Sequence, residues 1–177
     1  IGESFDADLA GIEETAELYE LIGFKDMDLQ LELQASLNLM LDDEDKFAAL
    51  FYNNVFKIAP QARALFRRNM TDQGRLLTHM LGGIVYSLSR PQHLTTGLKK
   101  LGESHVKYGV KLEHYPVVKQ AMLETIDMTL GENKTEKTMD AWNAALDFVI
   151  DAMQNAAKAI DMRETSINEQ QEIKQAS

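Results

Sequence analysis

The chain has 177 residues, of which 45% are apolar and 26% charged, a length and composition typical of one soluble globular domain with a sizeable core. Its formal charge of −10 gives an acidic surface that repels phosphate backbones and anionic lipids, so neither nucleic acid nor membrane is expected as a partner. The absence of cysteine excludes disulfides, thiolate metal sites and cysteine nucleophiles and allows a reducing compartment, so we expect a cytoplasmic protein.

The spacing of the apolar residues predicts an all-α fold. Only three prolines and ten glycines interrupt the chain, and between them apolar residues recur at steps of three and four, the period of a helix. No stretch shows the sustained period-two alternation of a strand, and no apolar run reaches the roughly 18 residues that a membrane-spanning helix needs. No signal-like segment opens the chain.

Three segments are predicted along the chain. Residues 1–28 are acidic with a thin apolar stripe, which is typical of a short amphipathic helix or of a solvated arm. Residues 29–160 carry the strong helical patterns and form the main domain. Residues 161–177 turn polar, and this pattern is compatible with a helical extension, a linker or a disordered tail.

The main domain is predicted to begin with a core helix over residues 29–41. Asp42 is expected to cap the next helix, which contains Tyr52 within the motif FYNNVF. Pro60 fits the first turn of a short helix that ends at Phe66. Thr71 is the expected cap of the helix that follows. Towards the end of the domain, Gly109 is expected to end a helix in the left-handed conformation, Gly131 to close the next helix, and Thr135 to cap the last long helix.

Two helical segments joined by the turn SLSRPQHL carry the functional prediction. Each has one apolar face with one polar member, Gln73 on the first helix and His105 on the second. The apolar members of the two faces are Leu77, Met80, Leu81, Ile84 and Leu88 on the first and Leu94, Leu98, Leu101 and Tyr108 on the second. We interpret the two faces as the walls that hold a flat, apolar, iron-bearing ligand.

His105 is the candidate metal ligand, although a lone histidine on an apolar face is more often a core residue. A neutral imidazole coordinates iron through one nitrogen while the other donates to a main-chain carbonyl about one turn back, here Leu101. Leu98 and Val110 supply the apolar surroundings that a buried porphyrin edge requires. His79, His93 and His114 are assigned surface or structural roles, the last two in turns.

The opposite wall carries candidate hydrogen-bond donors. Gln73 is either an exposed glutamine at a helix start or a donor to a ligand on the sixth iron position, with Leu77 pressing on that ligand one turn further. Tyr52 is either a core residue or a second donor. Phe66 is either core filler or a ring that lies flat on the porphyrin.

Taken in order, the motifs FYNNVF, PQARALF, TDQGRLLTHML, LGESHVKYGV, EHYPVV and DAWNAAL resemble the globin family over about residues 30–160, in particular bacterial single-domain haemoglobins and the globin half of flavohaemoglobins. The resemblance implies seven to eight helices that sandwich haem b. It implies His105 as the proximal iron ligand, Phe66 packed on the haem, and Tyr52, Gln73 and Leu77 on the distal side.

The sequence also departs from that pattern. Tyr115 matches the tyrosine beside the proximal histidine of flavohaemoglobins, but the glutamate that partners it there aligns with Ala157, so the resemblance does not extend to that hydrogen-bonded network. Leu76 falls where many globins carry a basic residue near a haem propionate. Arg75 or the Arg67–Arg68 pair are the candidates to replace it.

The function that the resemblance implies is reversible binding of O₂, CO and NO at ferrous haem, with donors from Tyr52 and Gln73. The chain contains no flavin or nicotinamide reductase domain, so NO dioxygenation would need an external reductase. Two alternatives remain open. One is a haem-based gas-sensor domain in which the polar residues after Asp161 begin a linker to a signalling domain, and the other is a haem-free interaction module.

Overall fold

A computed structural model of the chain describes residues 27–175, so the predicted N-terminal arm over residues 1–28 lies almost wholly outside the described residues. The described part contains six α-helices and no strand, which confirms the all-α prediction. The helices are α1 Met27–Met40, α2 Glu44–Ile58, α3 Met70–Ser87, α4 Pro91–Lys107, α5 Tyr115–Leu130 and α6 Glu136–Gln175. Within these residues no helix is both long enough and apolar enough to cross a lipid bilayer.

Seven to eight helices were expected, and the difference lies in the connections. Leu41–Asp43, Pro60–Leu65, Leu112–His114 and Gly131–Asn133 are short 3₁₀ turns. The predicted short helix that ends at Phe66 is one of these turns, since Pro60 begins it and Phe66 follows it. The last helix passes residue 160 without a break and continues to Gln175, and residues 161–171 are all exposed.

Some helix ends were predicted correctly from the local sequence alone. Gly109 has a φ angle of 86°, the left-handed conformation predicted for it, and Gly131 follows the last residue of α5, which it was expected to close. Thr135 Oγ1 accepts from the Thr138 amide at 3.0 Å, which confirms the cap of α6.

Two predicted caps are wrong by one or two residues. Asp43 caps α2 in place of Asp42, because the preceding 3₁₀ turn delays the helix start, and its carboxylate accepts from the Lys46 amide at 3.0 Å. Asn69 caps α3 in place of Thr71 and accepts from the Thr71 amide at 2.8 Å.

Buried polar bridges fix the packing of the core. The Asn54 side chain on α2 donates to the Thr125 hydroxyl on α5 at 3.0 Å, and the Trp142 indole on α6 donates to the Ser36 hydroxyl on α1 at 2.9 Å. These groups are buried, so leaving either partner unpaired would cost about 1–3 kcal/mol. The bridges therefore fix the register of α2 on α5 and of α1 on α6.

The two helices of the functional prediction are held apart. Although a short turn joins α3 to α4, they make few contacts with each other, while α3 packs on α2 and α4 packs extensively on α6. The helices α4 and α6 approach each other closely at Gly102, where an added Cβ would lie 2.6 Å from the Met153 carbonyl oxygen. The position of α4 is therefore set mainly by α6 and only slightly by α3.

We expect Gly102→Ala to lower the free energy of unfolding by about 1–3 kcal/mol, because the added methyl group meets the backbone of α6 and forces the helices apart. Gly97→Ala is the matched control on the same helix. No atom lies within 4 Å of its added Cβ, so the better helix propensity of alanine should stabilise by up to about 1 kcal/mol. Urea unfolding of both variants measures the difference, and equal effects would contradict the close crossing at Gly102.

Candidate functional site

The geometry around His105 has the features of an axial ligand. In the last full turn of α4, its Nδ1 lies 2.8 Å from the Leu101 carbonyl oxygen, the hydrogen bond predicted from the sequence. A carbonyl can only accept, so Nδ1 carries the proton. Burial lowers the pKa of His105, an effect that the bond to Leu101 partly opposes, and the ring is neutral at pH 7. Nε2 therefore presents a lone pair, and no described residue hydrogen-bonds it.

The end of α4 lies against the turn that precedes Phe66. The Val110 amide donates to the His105 carbonyl at 3.0 Å, and the left-handed Gly109 between them turns the chain away from the helix. An added Cβ at Gly109 would lie 3.7 Å from Cδ2 of Leu65. This approach brings the His105 side of the site next to the residue before Phe66.

The rings of Tyr52, Phe56 and Phe66 pack against one another. The Tyr52 and Phe66 centroids are 5.2 Å apart in an edge-to-face arrangement, and Phe56 lies 5.5 Å from Phe66 and 6.2 Å from Tyr52. The guanidinium of Arg63 covers the Phe56 ring at 5.0 Å. The cluster fixes Tyr52 and Phe66 relative to each other, as a preorganised wall requires.

Tyr52 also contacts Gln73. Its hydroxyl donates to the Gln73 main-chain carbonyl at 3.4 Å, a long and therefore weak bond that leaves the proton free to turn to another acceptor. Burial raises the pKa of Tyr52, partly opposed by the Gln73 side chain, so the phenol stays protonated at neutral pH. Gln73 is held there because α3 approaches α2 closely, with an added Cβ at Gly74 only 2.9 Å from Ala48 Cβ.

The structure thus brings Tyr52, Phe66 and Gln73 into one cluster and orients His105 as expected. Leu77, one turn beyond Gln73, is buried, and Leu101 and Val110 are half-buried. Leu98 is 1% exposed within the core cluster, so packing alone accounts for it.

Tyr115, at the start of α5, is buried, and its hydroxyl is the one buried side-chain polar atom in the described residues without a hydrogen-bond partner. Burial raises the pKa of Tyr115, so the phenol stays protonated and lacks an acceptor. Such an atom costs about 1–3 kcal/mol. An orphaned buried donor is typical of a site that a further group completes.

We expect Tyr115→Phe to be neutral or to raise the free energy of unfolding of the haem-free protein by up to about 1 kcal/mol, because the change removes an unpaired hydroxyl and keeps the ring. Asn54→Leu is the opposite control, since it leaves the Thr125 hydroxyl without its donor and should destabilise. Thermal unfolding of both variants tests this, and a clear loss in Tyr115→Phe would show that its hydroxyl is paired.

Some expectations about single residues are wrong. Tyr108 was placed on the apolar face of α4, but it follows the last helical residue and is 62% exposed, with its ring centroid 6.4 Å from that of His105. His93 lies in the first turn of α4, beyond the turn where it was placed. His79 is exposed as expected, and His114 accepts from the Lys111 amide at 3.0 Å, a structural role.

Sequence reasoning also missed two residues. Phe56 was not singled out, although its position four residues after Tyr52 places both on one helical face. Gly102 carried no local signal, because its close neighbour Met153 is distant in sequence.

The residues present fit a haem. A neutral imidazole with an available Nε2 suits iron, and Phe66, Met80, Ile84 and Leu101 are apolar side chains that remain only partly buried against the core. A flat apolar ring would cover such surfaces, and a phenol and an amide on the opposite wall would meet a small polar ligand. The unpaired Tyr115 hydroxyl fits the same conclusion.

Comparison with known proteins agrees with this geometry. The globin family profile matches residues 49–153. A globin-like protein of Aquifex aeolicus is 27% identical over 117 residues, 66% of this chain and 83% of that protein. A flavohaemoprotein of Xylella fastidiosa is 26% identical over 132 residues, 72% of this chain but 33% of that protein, so the chain spans only a third of that relative.

A solved structure shares the fold. It is an engineered carbene transferase made from a putative nitric oxide dioxygenase of Rhodothermus marinus, with a TM-score of 0.69 and 23% identity over 78% of this chain and 97% of that one. The helical sandwich, the orientation of His105 and a profile match over more than half of the residues lead to one conclusion: the chain belongs to the globin family, whose cofactor is haem.

Proposed function

We propose that this globin holds haem b and reversibly binds O₂, and also CO and NO, with distal stabilisation from Tyr52 and Gln73. The observation that carries the proposal is the neutral His105, with Nδ1 bonded to Leu101 at 2.8 Å and Nε2 available. When bound, haem would supply an iron able to take up a diatomic gas, and His105 would hold that iron.

The residues of the chain then have distinct roles. His105 would hold the iron, and its hydrogen bond to Leu101 fixes the ring orientation and increases its basicity. Phe66, Leu101 and Val110 would pack on the ring and exclude water from it. Tyr52 and Gln73 would offer two donors to a polar ligand in a pocket of low dielectric, where such bonds are stronger than in water.

With an external reductase the same pocket would support NO dioxygenation. The support is the likeness to the globin third of a flavohaemoprotein, together with distal donors suited to holding O₂. The electrons would come from another protein, and the absence of cysteine among 177 residues favours a reducing, cytoplasmic setting.

The second candidate is a haem-based gas sensor, and one observation favours it. The helix α6 runs unbroken from Glu136 to Gln175, and its residues 161–171 are exposed on all sides. A helix that leaves the globular body in this way could transmit a change at the haem to another domain. Circular dichroism and hydrogen exchange over residues 161–175 with and without CO would test this, and identical exchange would contradict it.

The experiment that tests the main proposal is the absorption spectrum of protein produced with ample iron. We expect a strong Soret band, a pyridine haemochrome spectrum of haem b with one haem per chain, and reversible shifts on reduction and addition of O₂ or CO. A purified, folded protein that takes up no haem would refute the proposal.

A further inference from the structure

Positive charge is concentrated in one part of this acidic chain. Residues 60–111 contain nine of the 18 lysines and arginines but only two of the 28 acidic residues. Their formal charge is therefore +7, while the remainder of the chain carries −17. The same residues contain α3, α4 and the turn before Phe66, which are the elements around the candidate haem site. Positive charge is thus concentrated in the segment that contains the candidate haem site, and negative charge in the rest of the chain.

Four of these cations flank residues of the site. Arg67 and Arg68 follow Phe66 directly, and Lys107 and Lys111 lie two residues after His105 and one after Val110. An added Cβ at Gly109 would lie 3.7 Å from Leu65 Cδ2, so the two segments that carry the four residues lie next to each other. We name Arg67, Arg68, Lys107 and Lys111 the basic rim.

The cations of the basic rim are exposed and form no ion pair in the described part of the chain, unlike two lysines on the acidic part of the protein. All four side chains are exposed, and within residues 27–171 none of them forms an ion pair. On the acidic part of the protein, Lys119 pairs with Asp147 and Lys134 with Asp127. Unpaired, exposed charges of one sign create an electrostatic field that attracts an oppositely charged partner.

Two simpler roles do not account for the basic rim. A solvated surface needs no grouping of cations beside the site, on a chain whose net charge is −10. The two haem propionates would neutralise at most two of the four. A cleft of about 780 Å³ next to the rim is lined by Arg68 and Arg75 but also by Glu44 and Asp72. It therefore adds a concave surface beside the rim but no net charge.

Exposed apolar side chains accompany the rim. Leu76 is 47% exposed on the edge of that cleft, and Leu112, next to Lys111, is 42% exposed. Apolar contacts beside a charged border are usual in protein interfaces, and complexes between redox proteins are small and short-lived.

We propose that the basic rim docks an acidic redox protein that reduces the haem, which rests on the proposed function as a haem globin. One electron passes from the reduced partner to ferric iron, the partner is oxidised by one electron, and no covalent bond forms or breaks. Opposite charge steers the encounter and increases the association rate by about 10- to 1,000-fold at low salt.

The test uses the haem-loaded full chain and an acidic flavodoxin in its hydroquinone form as the probe. The two are mixed without oxygen under CO, and the Soret change of the ferrous–CO form gives the second-order rate constant. Salt is varied from about 0.01 M to about 0.15 M, over which the screening length falls from about 30 Å to about 8 Å. The variants are Arg67→Glu with Arg68→Glu, and separately Lys107→Glu with Lys111→Glu.

Lys137→Glu with Lys158→Glu is the matched control, since it makes the same change of net charge at exposed positions on α6. We expect each rim variant to slow reduction at least about tenfold at low salt and to flatten the salt dependence, and the control to change the rate less than about twofold. Melting temperatures of all three show whether the fold is intact.

Each other outcome overturns the proposal. Equal rates in rim and control variants show that net charge alone matters. If only Arg67→Glu with Arg68→Glu slows reduction, those two arginines contact the haem propionates and do not bind a partner. A change of oligomeric state by sedimentation, with reduction unchanged, assigns the surface to a second copy of the chain. Protein without a Soret band refutes the proposed function as well, whereas a normal Soret band and CO spectrum with unaltered reduction refutes docking only.

Discussion

His105→Ala is expected to abolish stoichiometric haem binding. Among the described residues His105 is the candidate for the iron bond, because its Nδ1 is bonded to Leu101 at 2.8 Å and its Nε2 is available. Loss of a supporting partner of a metal ligand typically weakens metal affinity about 10- to 100-fold, and loss of the ligand itself should exceed that. Haem titration followed at the Soret band measures the change.

Two further variants make this result specific. His79→Ala removes an exposed histidine of α3 and should leave the spectrum unaltered. His105→Gly should regain a Soret band when imidazole is added, because the free base can enter the space of the missing ring. An unchanged Soret band in His105→Ala, with helical circular dichroism retained, would remove this histidine from the site.

The second large effect is faster O₂ release in Tyr52→Phe and Gln73→Leu. O₂ held in the pocket carries partial negative charge, and a hydrogen bond to a charged acceptor contributes on the order of 1–3 kcal/mol. Each variant should therefore release O₂ roughly one to two decades faster, and the double variant roughly one to four decades faster, at about 1.4 kcal/mol per decade. Stopped-flow replacement of O₂ by CO measures these rates.

CO provides the internal comparison for the distal donors. CO is less polar than O₂, so its dissociation should change less in the same variants, and the preference for CO over O₂ should increase. Because burial raises the pKa of Tyr52, its donation should persist across the neutral and mildly alkaline range. If neither single variant releases O₂ faster, the hypothesis that two side chains donate hydrogen bonds to bound O₂ is wrong.

Prediction from sequence succeeded where the cause was local. The bond from His105 to Leu101 depends only on the reach of an imidazole to the carbonyl four residues back, and the left-handed Gly109 needs only the absence of a Cβ. The placement of Asp42 as a cap was wrong because the 3₁₀ turn over Leu41–Asp43 moves the helix start by one residue. The local sequence does not reveal that turn.

Contacts between distant residues were beyond local patterns. Gly102 looks like any other glycine of α4, and only the approach of Met153 distinguishes it from Gly97. Tyr108 has the spacing of the apolar face, but spacing loses its meaning where the helix ends at Lys107. The roles of Tyr52, Gln73 and His105 in ligand binding came from the family resemblance and stay predictions until the spectra are recorded.

The close crossing of α4 and α6 has a mechanical consequence. Gly102 lies three residues before His105, and it meets Met153, from which α6 continues to Gln175. At about 1.5 Å per residue the part of α6 from Met153 to Gln175 is about 33 Å long. A tilt of about 5° around the crossing would displace the end of α6 by about 3 Å, so a small movement beside the histidine would become a larger one at the far end of the helix.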